Sequence, residues 1–266
     1  AGMMSPARLA RWAAAGFPVS VEHPDEDRWR RLRATAPVEI VDAGYTVVDA
    51  GSAIATHLSE IIKRHAHELL GRQEVQALLD ELAKTAPKLV EEVVPAQVSL
   101  GVLVRILANL LQEQVPIRDL RTILEVVADH AASTKDPDAL TEIVRQALGR
   151  LITHQFTAPD GSLPVINLDP RLDRTLVEHM TAVQGAPWGL EPGLTQRLLT
   201  SLKQAAERVA AKGQQPIVLC SPALRRHLRR LTQRVLHSVP VLSIGEIDGM
   251  TKVIAFETVR LTEDAG

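Results

Sequence analysis

The chain has 266 residues, of which 45% are hydrophobic and 23% are charged, and its net charge at pH 7 is −2. This composition is typical of a folded globular protein, and the length favours two domains or three small ones. The small net charge excludes a globally basic nucleic-acid-binding protein and an acidic, disordered chain. Cys220 is the single cysteine, so no intramolecular disulfide can form, which fits a reducing compartment.

No apolar run approaches the roughly 20 residues that a membrane-spanning helix requires. The segment from Ala210 to Val218 is interrupted by Lys212 and Gln214. Residues 1–12 lack the long apolar stretch of a signal peptide. From these features we expect a soluble cytosolic piece.

The N-terminal segment is predicted to be a mixed α/β part. Residues 16–21, 37–41 and 44–50 are strand-like and are separated by glycine and proline. Residues 25–33 favour a short helix between them. Ser52 is predicted to cap the helix that follows.

A series of amphipathic helices is predicted next. The segments 55–70 and 73–82 carry apolar residues at helical spacing, and Pro87 and Pro95 bracket a short helix. Three further helices follow, for which the predicted starts are Ser99, Pro116 and Asp138. Short loops between them favour antiparallel neighbours in a small bundle.

After Gln155 the pattern changes to strands alternating with helices. The predicted elements are a strand in LPVINL, a helix in DPRLDRTLVEHM, a loop around Trp188, a long helix ending at Gly213, a strand in PIVLC, an arginine-rich helix after Ser221, and paired strands in VPVLSIGEI and TKVIAFETV. Such alternation predicts a compact α/β domain.

The predicted fold class is therefore α+β and multidomain, with an N-terminal mixed α/β part, a central antiparallel helical bundle and a C-terminal compact α/β domain. The predicted divisions are residues 1–54, helices linking the first subdomains at 55–86, the bundle at 87–156 and the α/β subdomain at 157–266.

Candidate metal and nucleotide sites receive no support from the residues. His65 and His67 would point about 200° apart on a helix, and His57 lies too far along the axis to share a zinc ion with His65. Neither a dinucleotide-binding nor a phosphate-loop motif is present. We expect no metal and no cofactor.

Catalysis is not indicated either. Ser221 stands between a strand and a helix, as a hydrolase nucleophile would, but a G-x-S-x-G elbow is missing and a helix cap explains this serine. Cys220 ends an apolar strand and is expected to be a buried thiol. A hydrolase built on Ser221 remains an alternative, but we expect no enzyme activity.

The one charge cluster is RRHLRRLTQR, in which Arg225 to Arg234 share a helix with a leucine stripe. We expect the leucines to pack and the arginines to face outward as a solvated surface. A nucleic-acid-binding module is the alternative, although such modules usually carry stacking aromatics and the chain has seven Phe, Trp or Tyr residues. An acidic protein or anionic lipid headgroups are further possible partners.

Several long segments carry a family resemblance. They are ATHLSEIIKRHAHELLGRQEVQALLDEL, VPIRDLRTILE, DPDALTEIVRQALGR, LEPGLTQRLL, PIVLCSPALRRHLRRL and VPVLSIGEI. In order and type these resemble the cytoplasmic part of the FlhA family of flagellar type III export gate proteins, over about residues 44–263. Homologous virulence secretion proteins share much of the pattern.

The resemblance implies a non-enzymatic docking platform at the cytoplasmic face of the bacterial inner membrane. Its implied partners are flagellar export chaperones with bound substrates, the export ATPase complex, the substrate-switching export subunit, and copies of itself in a nine-membered ring. It implies no nucleic-acid partner.

The family's chaperone site also maps onto this sequence. It is a hydrophobic dimple whose positions, carried over by resemblance, are Met4, Pro6, Phe17, Val48, Ala53 and Thr56. Ala53 and Phe17 differ from the side chains expected at these positions. A shallow apolar patch with one hydroxyl suits a transient partner.

Overall fold

The computed structural model of the chain describes residues 50–182 and 191–260. Backbone contacts divide the chain into two units, residues 1–65 and residues 66–266. The elements predicted before residue 50 and the loop around Trp188 lie outside the described residues. The four-part domain division stays a prediction.

The described part contains helices followed by alternating strands and helices. In chain order these are α1 (Ala50–Leu69), α2 (Arg72–Ala83), α3 (Pro87–Val93), α4 (Leu100–Gln112), α5 (Leu120–His130), α6 (Pro137–Ala147), α7 (Gly149–Phe156), β1 (Ser162–Leu168), α8 (Pro170–Ala182), α9 (Pro192–Ala211), β2 (Val218–Cys220), α10 (Pro222–Thr232), β3 (Val241–Ser243), a 3₁₀ turn (Ile244–Glu246) and β4 (Lys252–Val259). The mixed α/β character and the position of most elements confirm the prediction.

Helix starts are set by local capping, and the sequence identified the starts after Ser99 and Ser221 correctly. The Ser99 hydroxyl accepts a hydrogen bond from the Val102 N–H at 3.3 Å, as predicted. The starts predicted at Pro116 and Asp138 were wrong by a few residues. Helix α5 begins after Asp119 rather than at Pro116, and α6 is capped by Asp136 rather than Asp138. Both true caps are aspartates, which accept from backbone N–H groups that the helix leaves unpaired.

The predicted cap Ser52 is also wrong, because α1 already begins at Ala50 and Ser52 lies inside it.

The sheet is fully parallel, with the strand order β3-β2-β1-β4. The predicted pairing of the last two strands is therefore wrong, because β3 and β4 occupy opposite edges. Strand β4 instead pairs with β1 from Ser162 opposite Lys252 to Leu168 opposite Val259, with one irregularity at Val165/Ile166.

The sheet lies between two hydrophobic cores, because successive strand residues face opposite sides. Leu163, Val165, Ile217, Leu219 and Leu242 pack into a core shared with helices α2 to α7. Their strand neighbours, which include Ile166, Val218 and Val241, pack into a second core with α8, α9 and α10. We call α2 to α7 the helical part and the elements from β1 onward the α/β part. The first core contains residues of both parts, so charged groups of the two parts lie against each other.

No helix within residues 50–182 or 191–260 has both the length and the apolar character needed to cross a membrane.

Candidate functional site

The structure describes part of the predicted docking site. Residues Met4, Pro6, Phe17 and Val48 lie outside the described residues. Ala53 belongs to α1, and Thr56 is exposed on the same helix. Because Ala53 and Thr56 are three residues apart, their Cα positions lie on one side of α1. The structure therefore places these two positions together and leaves the other four untested.

The opposite side of α1 is an apolar stripe. Ile54, Leu58, Ile61 and Ile62 have exposed fractions of 43% to 68%. At about 100° per residue these four positions fall within one third of the helix circumference, roughly opposite Thr56. An amphipathic helix with exposed aliphatic side chains is typical of a protein that binds other proteins.

A buried network of charges joins the helical part to the α/β part. Its centre is Arg225 on α10, which is 1% exposed. The guanidinium donates from Nη1 and Nη2 to both oxygens of Glu113, at 2.8 and 3.1 Å, and from Nε and Nη2 to Glu142 on α6. It also donates to the Val241 carbonyl at 3.4 Å. Such bidentate pairing is the strongest arrangement that an arginine makes with carboxylates.

A second pair completes the network. Arg145 on α6 donates from Nε and Nη2 to the Glu246 carboxylate, at 2.6 and 3.3 Å, and both residues are 1% exposed. Glu246 Oε2 also accepts from the Ser243 N–H at 3.0 Å, and its carbonyl oxygen accepts from Thr153 Oγ1 at 2.9 Å. The 3₁₀ turn that carries Glu246 is thereby fixed against α6 and α7.

The network keeps its members charged. Burial would raise the pKa of Glu113, but Arg145, Arg225 and Arg229 outweigh it and lower that pKa to about 2. Burial would lower the pKa of Arg225, but Glu113 and Glu142 raise it well above its ordinary value. Buried ions are retained when charge pairing and hydrogen bonds offset the loss of hydration, as they do here.

Glu113 makes stability sensitive to acid. Its native pKa of about 2 lies below the ordinary value of 4.5, so its stabilisation is complete above about pH 5 and disappears as pH falls to 2. We expect the free energy of unfolding to fall over this range by an amount on the order of 3 kcal/mol from this group. Glu113→Gln should give lower stability at pH 7 and a flatter acid limb in urea denaturation at successive pH values.

The control for this prediction is Glu125→Gln, which alters a carboxylate in an exposed pair with Arg121 at 2.9 Å. An exposed pair contributes less than about 1 kcal/mol, so the acid limb should keep its slope. Equal flattening in both variants would contradict the role given to Glu113.

The arginine-rich helix corrects the prediction that all its arginines face outward. Arg225 is buried, and Arg229 has a side chain 14% exposed. Arg226 and Arg230 donate to Asp136 and Asp138, at 3.1 Å for the first pair. Because Arg226 and Arg230 are matched by carboxylates, this helix does not present the extended basic surface along which a nucleic-acid backbone binds.

The two candidate nucleophiles, the Ser221 hydroxyl and the Cys220 thiol, are buried. Ser221 is the N-cap residue of α10, but its hydroxyl makes no capping bond, and its Oγ is buried without a hydrogen-bond partner among the described residues. Asp173 instead accepts from the Ser221 N–H at 2.9 Å. Cys220 is buried as expected, and burial raises the pKa of its thiol. Among residues 50–182 and 191–260, no base accepts a hydrogen bond from the Ser221 hydroxyl.

Within the described ranges, no cluster of three His, Cys, Asp or Glu side chains is arranged to hold a metal ion.

Sequence reasoning missed Glu113, Glu142, Arg145 and Glu246 as a group. Each is an ordinary polar residue on or beside an amphipathic helix or turn, and only the packing of the helical part on the sheet brings them together. One signal was available: Arg225 follows Leu224, which is fully buried, at the start of α10 where the chain leaves a buried strand.

The sequence matches the FHIPEP family model over residues 28–252. It is 49% identical to the flagellar biosynthesis protein FlhA of Escherichia coli over 204 residues, which are 77% of this chain and 29% of that protein. It is 40% identical to FlhA of Bacillus subtilis over 211 residues, which are 79% of this chain and 31% of that protein. The chain thus spans about 30% of the length of these curated relatives.

Solved structures share the fold. The Chlamydia pneumoniae CdsV protein superimposes with a TM-score of 0.77 at 26% identity, covering 97% of this chain and 74% of CdsV. A structure of CdsV in complex with CdsO superimposes with a TM-score of 0.75 at 27% identity, covering 90% of this chain and 74% of the matched chain. The nonameric SctV-C of EPEC superimposes with a TM-score of 0.70 at 28% identity, covering 78% of this chain and 62% of SctV-C.

Proposed function

Since this chain belongs to the FHIPEP family, we propose that it is a cytoplasmic docking platform of the flagellar type III protein export gate. The observation that carries the proposal is the high identity to FlhA over most of the chain. On this proposal it binds export chaperones with their bound substrates and orders their secretion. The work is binding rather than covalent chemistry, and it takes place at the cytoplasmic face of the inner membrane.

Assembly with other copies is part of the proposal. The similar SctV-C structure is a nonamer, and we extend to this chain a nine-membered ring. The similar CdsV structure contains CdsO, which supports a partner-binding role for the fold. We propose the export ATPase complex and the substrate-switching export subunit as further partners.

The proposed chaperone site comprises Met4, Pro6, Phe17, Val48, Ala53 and Thr56. Thr56 supports this assignment because it is exposed on α1, where a partner can reach its hydroxyl and methyl groups. A small apolar surface with one hydroxyl favours weak and reversible association, as a docking step requires.

The test is isothermal titration of the chain with a flagellar chaperone bound to its filament-type substrate. We expect saturable binding, which Thr56→Asp should weaken at least about tenfold, because a carboxylate must be desolvated at an apolar contact. Val48→Asp should weaken binding similarly.

The matched control is Thr200→Asp, which places the same charge at an exposed threonine of another helix, α9. The affinity of this variant for the chaperone–substrate complex should equal that of the unmodified chain. Unchanged affinity in both Thr56→Asp and Val48→Asp would show that the site is elsewhere. Failure of the folded, unmodified chain to bind would refute the docking function itself.

A further inference from the structure

A polar cavity of about 200 Å³ lies between the helical part and α10. Its lining residues are Arg105, Asn109, Gln112, Glu113, Asp138, Thr141, Glu142, Arg225, Arg226, Arg229, Arg230 and Gln233. We call this cavity the arginine cleft. Every lining side chain carries a hydrogen-bonding group, and five are guanidiniums.

Arg105 and Arg229 differ from the other three guanidiniums because they donate no hydrogen bond to a carboxylate among the described residues. Arg105 is exposed on α4, and no hydrogen bond or ion pair joins it to any residue in the described ranges. Arg229 donates from Nη1 to the Val239 carbonyl at 3.3 Å, and its Nε lies 3.7 Å from Glu113. Its remaining N–H groups form no hydrogen bond with the described residues. The two side chains therefore offer several donors to the cleft.

The cleft also has an excess of positive charge. The charged residues of the lining and their ion-pair partners are Arg105, Arg145, Arg225, Arg226, Arg229 and Arg230, against Glu113, Asp136, Asp138, Glu142 and Glu246. Six cations and five anions leave a charge of +1. Burial lowers the pKa of Arg229; Glu113 opposes this change, and the neighbouring Arg225 and Arg145 add to it.

The size and lining define the ligand. Cavities for drug-sized molecules measure roughly 300 Å³ or more, so the arginine cleft suits a smaller group. It has no aromatic side chain on which a base or sugar ring would stack. Guanidiniums match planar or tetrahedral oxyanions, which accept two parallel hydrogen bonds.

We propose that the arginine cleft binds a compact oxyanion, a carboxylate or phosphate group, held by Arg105 and Arg229. The anion would accept hydrogen bonds from the free donors of both side chains and give Arg229 a second anionic partner beside Glu113. Gln112 and Gln233 also line the cleft and carry further amide donors, whereas the Asn109 amide already donates to Asp138 and Thr141. This site involves none of the predicted chaperone-docking residues and does not depend on the proposed function.

The experiment is isothermal titration of the chain with inorganic phosphate, with succinate and with a triglutamate peptide, against sodium chloride at matched ionic strength. We expect saturable binding of at least one oxyanion and none of chloride. Preference for the peptide would identify the acidic side chains of a bound protein segment as the source, and preference for phosphate or succinate a free anion.

Arginine variants distinguish a specific binding site from nonspecific electrostatic attraction. Arg105→Gln removes an exposed, unpaired guanidinium, so the fold should persist, and we expect about tenfold weaker binding. Arg229→Gln should weaken binding similarly. Arg174→Gln, at an exposed position of α8, is the matched control and should leave the affinity unchanged. The proposal is overturned if all three probes fail to bind at tens of millimolar, or if the Arg174 variant weakens binding as much as the Arg105 variant.

Discussion

Arg225→Ala is expected to lower the free energy of unfolding by about 3–5 kcal/mol, because Glu142 loses its partner and Glu113 keeps only the more distant Arg145 and Arg229. Glu113 and Glu142 each lose charge-assisted hydrogen bonds, and the Val241 carbonyl loses its contact with Nη1. Urea denaturation at pH 7, followed by circular dichroism, measures the change. The pKa of Glu113 should rise in the same variant, since Arg225 is one of the charges that lower it.

Two further variants test whether the loss comes from unpaired charge. Arg234→Ala removes an exposed arginine just after α10 and should change stability by less than about 0.5 kcal/mol. The combination Arg225→Met, Glu113→Gln and Glu142→Gln removes the ions together and should be more stable than Arg225→Ala alone. A stability of Arg225→Ala close to that of the unmodified chain would show that the network contributes little.

The same network explains why sequence reasoning was wrong about α10. Periodicity placed Leu224 and Leu228 toward the sheet, and both are fully buried. It also predicted that every arginine side chain of α10 faces solvent, since arginine is almost never fully buried unless it is paired. Arg225 has its partners on α6 and just after α4, far away in sequence, so a helical pattern read locally could not reveal them.

The strand order illustrates a second limit. Short apolar runs bounded by turn residues identified β1, β2, β3 and β4 as strands, because such runs are a local property of the sequence. Pairing is not local. The short separation of β3 and β4 along the chain suggested direct partners, yet β1 lies between β4 and the rest of the sheet. Burial does not decide the order either, because β3 is as fully buried as β1 although it lies at an edge of the sheet.

The proposed docking residues were predicted from a family resemblance and not from a local sequence pattern. Thr56 and Ala53 were carried over from a family resemblance that the comparisons confirm at the level of the family. Composition and spacing alone marked neither residue, because a threonine and an alanine on a helix have no chemical signature. The arginine cleft arises in the opposite way, from tertiary packing that no local motif records.

Gly149→Ala is expected to destabilise the chain by about 1–3 kcal/mol, because the added methyl group has no space. A Cβ at this position would lie 2.6 Å from the Glu246 carbonyl oxygen and 3.1 Å from its carbonyl carbon. That carbonyl already accepts a hydrogen bond from Thr153, and the Glu246 side chain is held by Arg145, so the turn cannot withdraw without losing both. Thermal and urea denaturation measure the loss.

Gly193→Ala makes the comparison decisive, since it adds the same methyl group to the first turn of α9, where the nearest heavy atom is 4.0 Å away. Alanine favours the helix over glycine by up to about 1 kcal/mol, so this variant should be as stable as the parent or more so. The two substitutions are chemically identical and should have opposite effects. A stability gain at Gly149 would mean that the 3₁₀ turn moves freely, and the rigid contact between the helical part and the turn carrying Glu246 would then have to be abandoned.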